Sequence, residues 1–305
     1  MDALHRPAQP WVWQADLDPI EHARRIAAHP RFSQAARALA VHMLAASDTD
    51  AALAAVFRDA GRYATAMWTV MLHAAGAMTL PHLKEACAAS GLASSGRARL
   101  LLQVLEHIGY VKPMPPAGDG KARHYTLTPA FLAAWRGHLR AALNAATLVD
   151  PAIEMLAERL GEPAVFERFL RIQAARLPVL TRWTAEMPAF QRILMHRYAG
   201  LLILSMLVVG KSDGAFPPSG PIPIALKPTA ARFGVSYMHV RRLLHDAAGA
   251  GLLDYEATGS VRLREAMRGT IRFFYAAQLA ELVASARLAL AAVEPAWCDA
   301  GISAP

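Results

Sequence analysis

Four arginines stand close together in two short stretches, Arg97 with Arg99 and Arg241 with Arg242. A guanidinium is a planar fork of donors that matches phosphate oxygens and the O6/N7 edge of guanine. The side chains around them are of complementary kinds. Ser94, Ser95 and Ser236 stand just ahead of the arginines, where a hydroxyl can cap a helix and also reach a phosphate. Gln103, Tyr237, His239 and His245 share the same two stretches and offer donors and acceptors to base edges or sugars. Lys121, Arg123, Arg262 and Arg264 follow further on, as candidates for contact with the phosphate backbone. Taken singly, each of these is an ordinary solvated charge or helix cap. The case for a polyanionic partner rests on their arrangement.

That arrangement occurs twice. A shift of 142 positions puts Ser94 on Ser236, Arg99 on Arg241, Leu101 and Leu102 on Leu243 and Leu244, and Gly109 on Gly251. Each stretch reads as a Ser-capped helix with arginines near its start, an apolar stripe, a glycine stop and an apolar strand. A helix that lies in a major groove needs one face to dock on its own domain and a basic N-terminal half for the duplex. Leu100 stands where a polar residue is expected, which makes the first copy the weaker reader. After the first helix, 112–123 is basic and rich in proline and glycine, and 124–128 alternates like a strand. This predicts a β-hairpin whose first strand is weakened by prolines. In the second copy 252–255 and 261–264 predict a shorter hairpin. A basic hairpin tip can reach a phosphate or the adjacent minor groove while the helix occupies the major groove.

The remaining sequence is helical in period. Apolar spacing predicts helices over 19–46, 63–75, 81–90, 131–148, 151–160, 163–175, from 191 onward and 268–292, with Ser47 and Asp48 as caps for a helix from Asp50. The apolar run 199–210 is too short to cross a bilayer and reads as a central helix. The chain divides into an N-terminal helical segment (1–61), a first copy (62–130), a helical connector (131–189), a second copy (190–265) and a C-terminal helix with its tail (266–305). No long Gly/Ser linker separates the copies, so the outer helices are expected to brace them.

Residues 62–130 and 190–265, about half of the chain, resemble winged helix-turn-helix transcription regulators. The first copy looks most like the MarR type, through Leu105-Glu106-His107-Ile108-Gly109-Tyr110-Val111, the basic hairpin with Arg123, and the exit Leu127-Thr128-Pro129. The second, with Phe233-Gly234-Val235-Ser236 and Val240-Arg241-Arg242-Leu243-Leu244, resembles a generic bacterial winged helix. The resemblance implies a mainly α fold with two winged helix-turn-helix modules, short β-hairpin wings and bracing helices. It also implies sequence-specific binding of double-stranded DNA. MarR-like proteins are usually homodimers with one module per chain. Two modules here suggest a monomeric pseudo-dimer, with a homodimer as the other arrangement.

Composition agrees. The 305 residues are 54% hydrophobic and 18% charged with a net charge of +8, the balance of a globular chain that favours a polyanion. Cys87 and Cys298 cannot form a disulfide framework or zinc site, and Cys87 falls in an apolar helix pattern. The N-terminal stretch lacks a signal-peptide core, and a cytoplasmic protein without membrane contact is expected. His73, His82 and His107 fall in no ligand pattern, and no phosphate loop or nucleophile elbow occurs. Glu154 and Glu158 are an ordinary i,i+4 pair, and Met187, Met195 and Met206 read as core. No metal, cofactor or catalysis is expected. Two further readings remain. A small apolar effector could sit among the braces, with Trp68, Trp135 and Trp183 as candidate lining, or the modules could be protein-interaction surfaces whose arginines meet an acidic partner.

Overall fold

Side-chain caps set most helix starts. The computed structural model describes residues 18–90, 94–115, 123–185, 187–210, 215–256 and 259–291. The Asp18 carboxylate accepts from the amides of Ile20 and Glu21 and opens α1 (Pro19–Ala28), whose first residue is a proline with no amide hydrogen to satisfy. The expected single helix over 19–46 is two. The chain breaks at 29–31, around Pro30, before α2 (Phe32–Thr49), because proline cannot continue an interior hydrogen-bond ladder. α2 runs through Ser47 and Asp48, and Asp50 caps α3 (Ala51–Phe57) instead, accepting from the Leu53 amide at 3.0 Å. Asp59 caps α4 (Ala60–Ala74).

There follow α5 (Leu80–Ser90), α6 (Ser95–His107), β1 (Val111–Pro113), β2 (Tyr125–Leu127) and α7 (Pro129–Thr147). A 3₁₀ turn at Pro151–Ile153 leads into α8 (Glu154–Arg159), and α9 (Pro163–Ala185) runs past its expected end. After α10 (Pro188–Phe190) comes a π-type turn at Gln191–Met195. Then come α11 (Gly200–Val209), β3 (Ile222–Pro223), α12 (Leu226–Arg232), α13 (Tyr237–Gly249), β4 (Leu253–Tyr255), β5 (Ser260–Leu263) and α14 (Glu265–Ala291). The protein is thus mainly helical, with two small antiparallel sheets ordered β1-β2 and β3-β5-β4.

The 142-residue repeat is also a repeat of hydrogen bonds. α4-α5-α6-β1-β2-α7 and α11-α12-α13-β4-β5-α14 follow the same order. Ala98, Leu101, Leu102 and Leu105 form the buried face of α6, and Val240, Leu243, Leu244 and Ala247, each 142 positions on, form that of α13. Both helices end in one motif. The amides of Gly109 and Tyr110 bond the carbonyls of Glu106 and Leu105 (3.1 and 2.8 Å), and those of Gly251 and Leu252 bond Ala248 and Ala247 (2.9 and 3.0 Å). Gly109 and Gly251 take φ of +75° and +71°, where a Cβ would cost roughly 1–2 kcal/mol. In the hairpins, Val111 faces Leu127 and Leu253 faces Leu263, all four buried. The short β3 was not expected from sequence. Its counterpart in the first unit is a single bridge from Thr79 to His124.

One connected core holds the units together, running from Ala23 to Ala289. α14 packs on α1, α9, α7 and α2, while α11 packs on α2. α14 is long and apolar enough to span a bilayer, but 67% of that window is buried inside the protein. Buried ion pairs fix its position. Arg176 of α9 bonds Glu281 at 2.7 and 2.8 Å, and Arg287 bonds Asp150 at 2.7 and 2.8 Å. The end of α2 anchors both units. Asp48 receives Arg232 of the second at 2.7 and 3.0 Å, and Asp50 receives the Tyr110 hydroxyl of the first at 2.8 and 2.9 Å.

Candidate nucleic-acid interface

Capping and packing together decide which way α6 and α13 face. Ser94 Oγ accepts from the Arg97 amide at 3.4 Å, and Ser236 Oγ accepts from the His239 amide at 3.1 Å. With the apolar stripes docked inward, the other faces are open. Ser94, Ser95, Arg97, Arg99 and Gln103 are exposed on the first unit, and Ser236, Tyr237, Arg241, Arg242 and His245 on the second. His239 differs. It is half-buried, and its Nε2 lies 2.7 Å from the Tyr198 carbonyl oxygen, so its ring N–H ties α13 to the preceding chain. Arg241 Nε reaches His245 Nε2 at 3.5 Å, and the His245 ring meets Tyr255 of β4 edge-on at 5.4 Å. These contacts join the helix face to the hairpin.

The hairpin candidates divide. Arg123 is exposed, with its guanidinium 3.4 Å from Glu106 and 5.6 Å from the centre of the Tyr125 ring. Lys121 lies outside the described residues. Arg262 is exposed in the middle of β5, opposite Asp254. Arg264 stands at the foot of the hairpin and bonds Asp254 at 2.7 and 2.9 Å. The second hairpin therefore carries its arginines on strand and foot, and its turn at 256–259 contains none. A short loop leaves Arg262 and Arg264 in strand alternation, on one face and away from the turn.

Electrostatically the first turns of both helices are purely basic or neutral. The carboxylates further along are Glu106 and Asp246, and each meets an arginine, Arg123 and Arg197 respectively. Arg241, Arg242, Arg97 and Arg99 thus face solvent with no acidic neighbour in their own turn.

A corner missed by the sequence reading lies against α13. Past the π-type turn the chain reverses at 196–199, with Ala199 in the left-handed region at φ +62°. Arg197 pairs with Asp246 of α13, and the Tyr198 carbonyl accepts from His239. Arg58 donates to the Tyr198 hydroxyl, and the guanidinium carbons of Arg58 and Arg62 lie 4.6 and 5.1 Å from its ring centre. Burial chiefly holds His196 below the ordinary imidazole range, and the Arg97 charge pushes in the same direction. The signal available in sequence was the cluster Arg192, His196 and Arg197 just before an apolar run. Its partners Arg58 and Arg62 are too far away in sequence to be joined to it.

Among the described residues, no group of three or more His, Cys, Asp or Glu side chains could hold a metal ion. A pocket lies among the braces, but Trp68 and Trp135 do not line it. Trp135 is fully buried against Tyr63, Phe131 and His138, while Trp68 borders a separate open groove between α4 and α9. The Trp183 side chain lies outside those described. The chain matches no protein-family model, no curated protein and no solved structure.

Proposed function

We propose that the chain is a sequence-specific regulator that binds double-stranded DNA with two winged helix-turn-helix modules built into one polypeptide. The observation that carries this reading is the duplicated helix whose N-terminal half carries arginines and no acid, held outward by the same cap, stripe and glycine stop in both units. α6 and α13 would enter major grooves N-terminus first, with Arg97, Arg99, Gln103, Tyr237, Arg241, Arg242 and His245 toward the duplex. Ser94, Ser95, Ser236, Arg123 and Arg262 would meet phosphates, and His239 would position α13. Arg264, held by Asp254, would be a weaker phosphate partner. The net charge of +8 supplies the long-range attraction. This reading places the protein in the cytoplasm as a pseudo-dimer acting on one site.

The test is selection of bound fragments from random duplex DNA, followed by titration of the winner at several salt concentrations. Log affinity against log salt should fall with a slope of roughly −0.9 for each phosphate neutralised. A flat salt response across a tenfold range, or binding to an acidic protein without a DNA footprint, would replace this reading with the interaction-module one.

A further inference from the structure

Two apolar side chains stand among the arginines of the duplicated helices. Leu100 on α6 and Met238 on α13 are the most exposed large hydrophobic residues among those described, 52% each. A single exposed apolar side chain is ordinary on a protein surface. What sets these two apart is their position. Both lie on the outward face, three or four positions from exposed polar neighbours: Leu100 from Arg97 and Gln103, Met238 from Arg241 and Arg242. Residues at that spacing are adjacent on a helix surface. The inward face of each helix is already complete without them, and neither side chain belongs to the core. Packing within the fold therefore does not account for them.

The two positions are not equivalent. At the 142-residue shift Met238 falls on Gly96, and Leu100 falls on Arg242. Leu100 thus stands where the second unit has a guanidinium, and Met238 stands where the first unit has no side chain. Four residues separate the two heights, about 6 Å along a helix. The arginines around them complement a polyanion, so the surface that covers Leu100 and Met238 must be anionic and locally apolar at once. A major groove edged by phosphates meets the first condition. It meets the second only at thymine, whose C5 methyl is the one methyl group the four bases display there. A guanine edge suits an arginine fork, but against a leucine its O6 and N7 would lose water and gain no donor.

We infer that Leu100 and Met238 are thymine readers. Each docks on the C5 methyl of a thymine in the major groove, Leu100 in the block bound by α6 and Met238 in the block bound by α13. This rests on the DNA-binding reading and adds to it which base the exposed apolar side chains select. Where α13 presents the Arg242 fork, α6 presents Leu100, so at that position the first block takes a thymine methyl in place of a hydrogen-bonding edge.

The test uses the full chain and the duplex it selects from a random pool. Each thymine is replaced singly by deoxyuridine, which removes the C5 methyl and leaves O4 in place. Affinity is measured at one salt concentration for the wild type, Leu100→Ser and Met238→Ser. One replacement in each block should weaken wild-type binding by roughly threefold to fivefold, the worth of one buried methyl-sized group. Leu100→Ser should lose that effect in its own block only, and Met238→Ser in the other block only. Both side chains are exposed, so circular dichroism should show the fold retained. Selective binding that no uracil weakens, or a uracil penalty that persists in the serine variants, would overturn the inference and leave the DNA-binding reading standing. A selected block without thymine would overturn it for that unit. Failure to select any duplex, whether or not an acidic protein binds instead, would overturn both.

Discussion

The two units share a scaffold and differ on their faces. Position by position at the 142-residue shift, Ser95 faces Tyr237, Gly96 Met238, Arg97 His239, Leu100 Arg242 and Gln103 His245, while Arg99 and Arg241 coincide. The buried stripe hardly changes, since docking on α4 and α5 in one unit, or on α12 and the π-type turn in the other, asks for an apolar face on either helix. The exposed face is free of that constraint and has diverged. The first unit offers a small, open first turn with Arg97 exposed and Leu100 52% exposed. The second carries a bulky first turn, two adjacent arginines and a histidine already engaged by the corner. One fold thus presents two different sets of donors, acceptors and apolar groups, and the units are expected to prefer different base sequences.

The sharpest way to break this comparison is through the DNA. One chain should protect a single non-palindromic site with two unlike blocks, their centres about 10 base pairs apart if both lie on one face. Inserting about 5 base pairs between the blocks puts them on opposite faces. If both units then cannot engage together, affinity should fall by roughly 100-fold or more. A palindrome occupied by two chains, with no effect of the insertion on each, would show that a single unit per chain reads DNA.

Removing the arginines asks how much each face contributes. Arg241→Ala with Arg242→Ala should cost about 1–3 kcal/mol for each base whose edge an arginine reads, and should relax selection in one block only. Arg97→Ala with Arg99→Ala should act on the other block and cost less, because Leu100 replaces an arginine there. All four side chains are exposed, so thermal stability should not change. Equal losses from the two double variants would mean that the faces are energetically equivalent despite their composition.

Acid should test the brace that holds the units in place. His138 on α7 and His22 on α1 are 3% and 4% exposed, and their pKa values are lowered to about 3 and about 4, burial being the largest cause for each. The unfolded chain takes up these protons near pH 6.5, whereas the folded chain does so only near those lowered values. Between those limits the unfolded state binds more protons. The contribution is therefore fully present above about pH 6.5 and is lost as the pH falls. By pH 5 the loss should be roughly 2 kcal/mol for each histidine. Denaturant unfolding at pH 7.5 and pH 5 measures it, and equal stability would mean that the imidazoles are protonated in the folded protein.

The smallest effect concerns the shared scaffold. Ser94→Ala and Ser236→Ala should each cost about 1 kcal/mol, the worth of an N-cap. The Ser236 bond is the shorter, 3.1 against 3.4 Å, so its removal should cost at least as much. A marked reversal would show that the two caps hold unequal local stability.

The helices with strong local signals were legible in sequence because each signal lies within a few residues of what it controls. Ser94 and Ser236 cap the helices they precede, Gly109 and Gly251 stop them, and Leu101, Leu102, Leu243 and Leu244 mark the inward face. The outward candidates follow by subtraction, which is why the described residues among them are exposed, with His239 the exception. Pro30 was present in sequence, but the apolar spacing on either side of it masked the break. β3 was too short to give any period.

What depended on distant partners was decided only by tertiary structure. His239 reads as a free base reader until Tyr198, 41 positions earlier, supplies a carbonyl to it. Arg264 reads as a wing residue until the strand register places Asp254 within 2.7 Å. The anchoring of both units by Asp48 and Asp50 and the corner at 196–199 have no local signature. Caps, stripes and stops are short-range physics, set by backbone geometry over one or two turns. The pairing of a charge, the closing of a cavity and the docking of one unit on another depend on chain segments that only folding brings within reach.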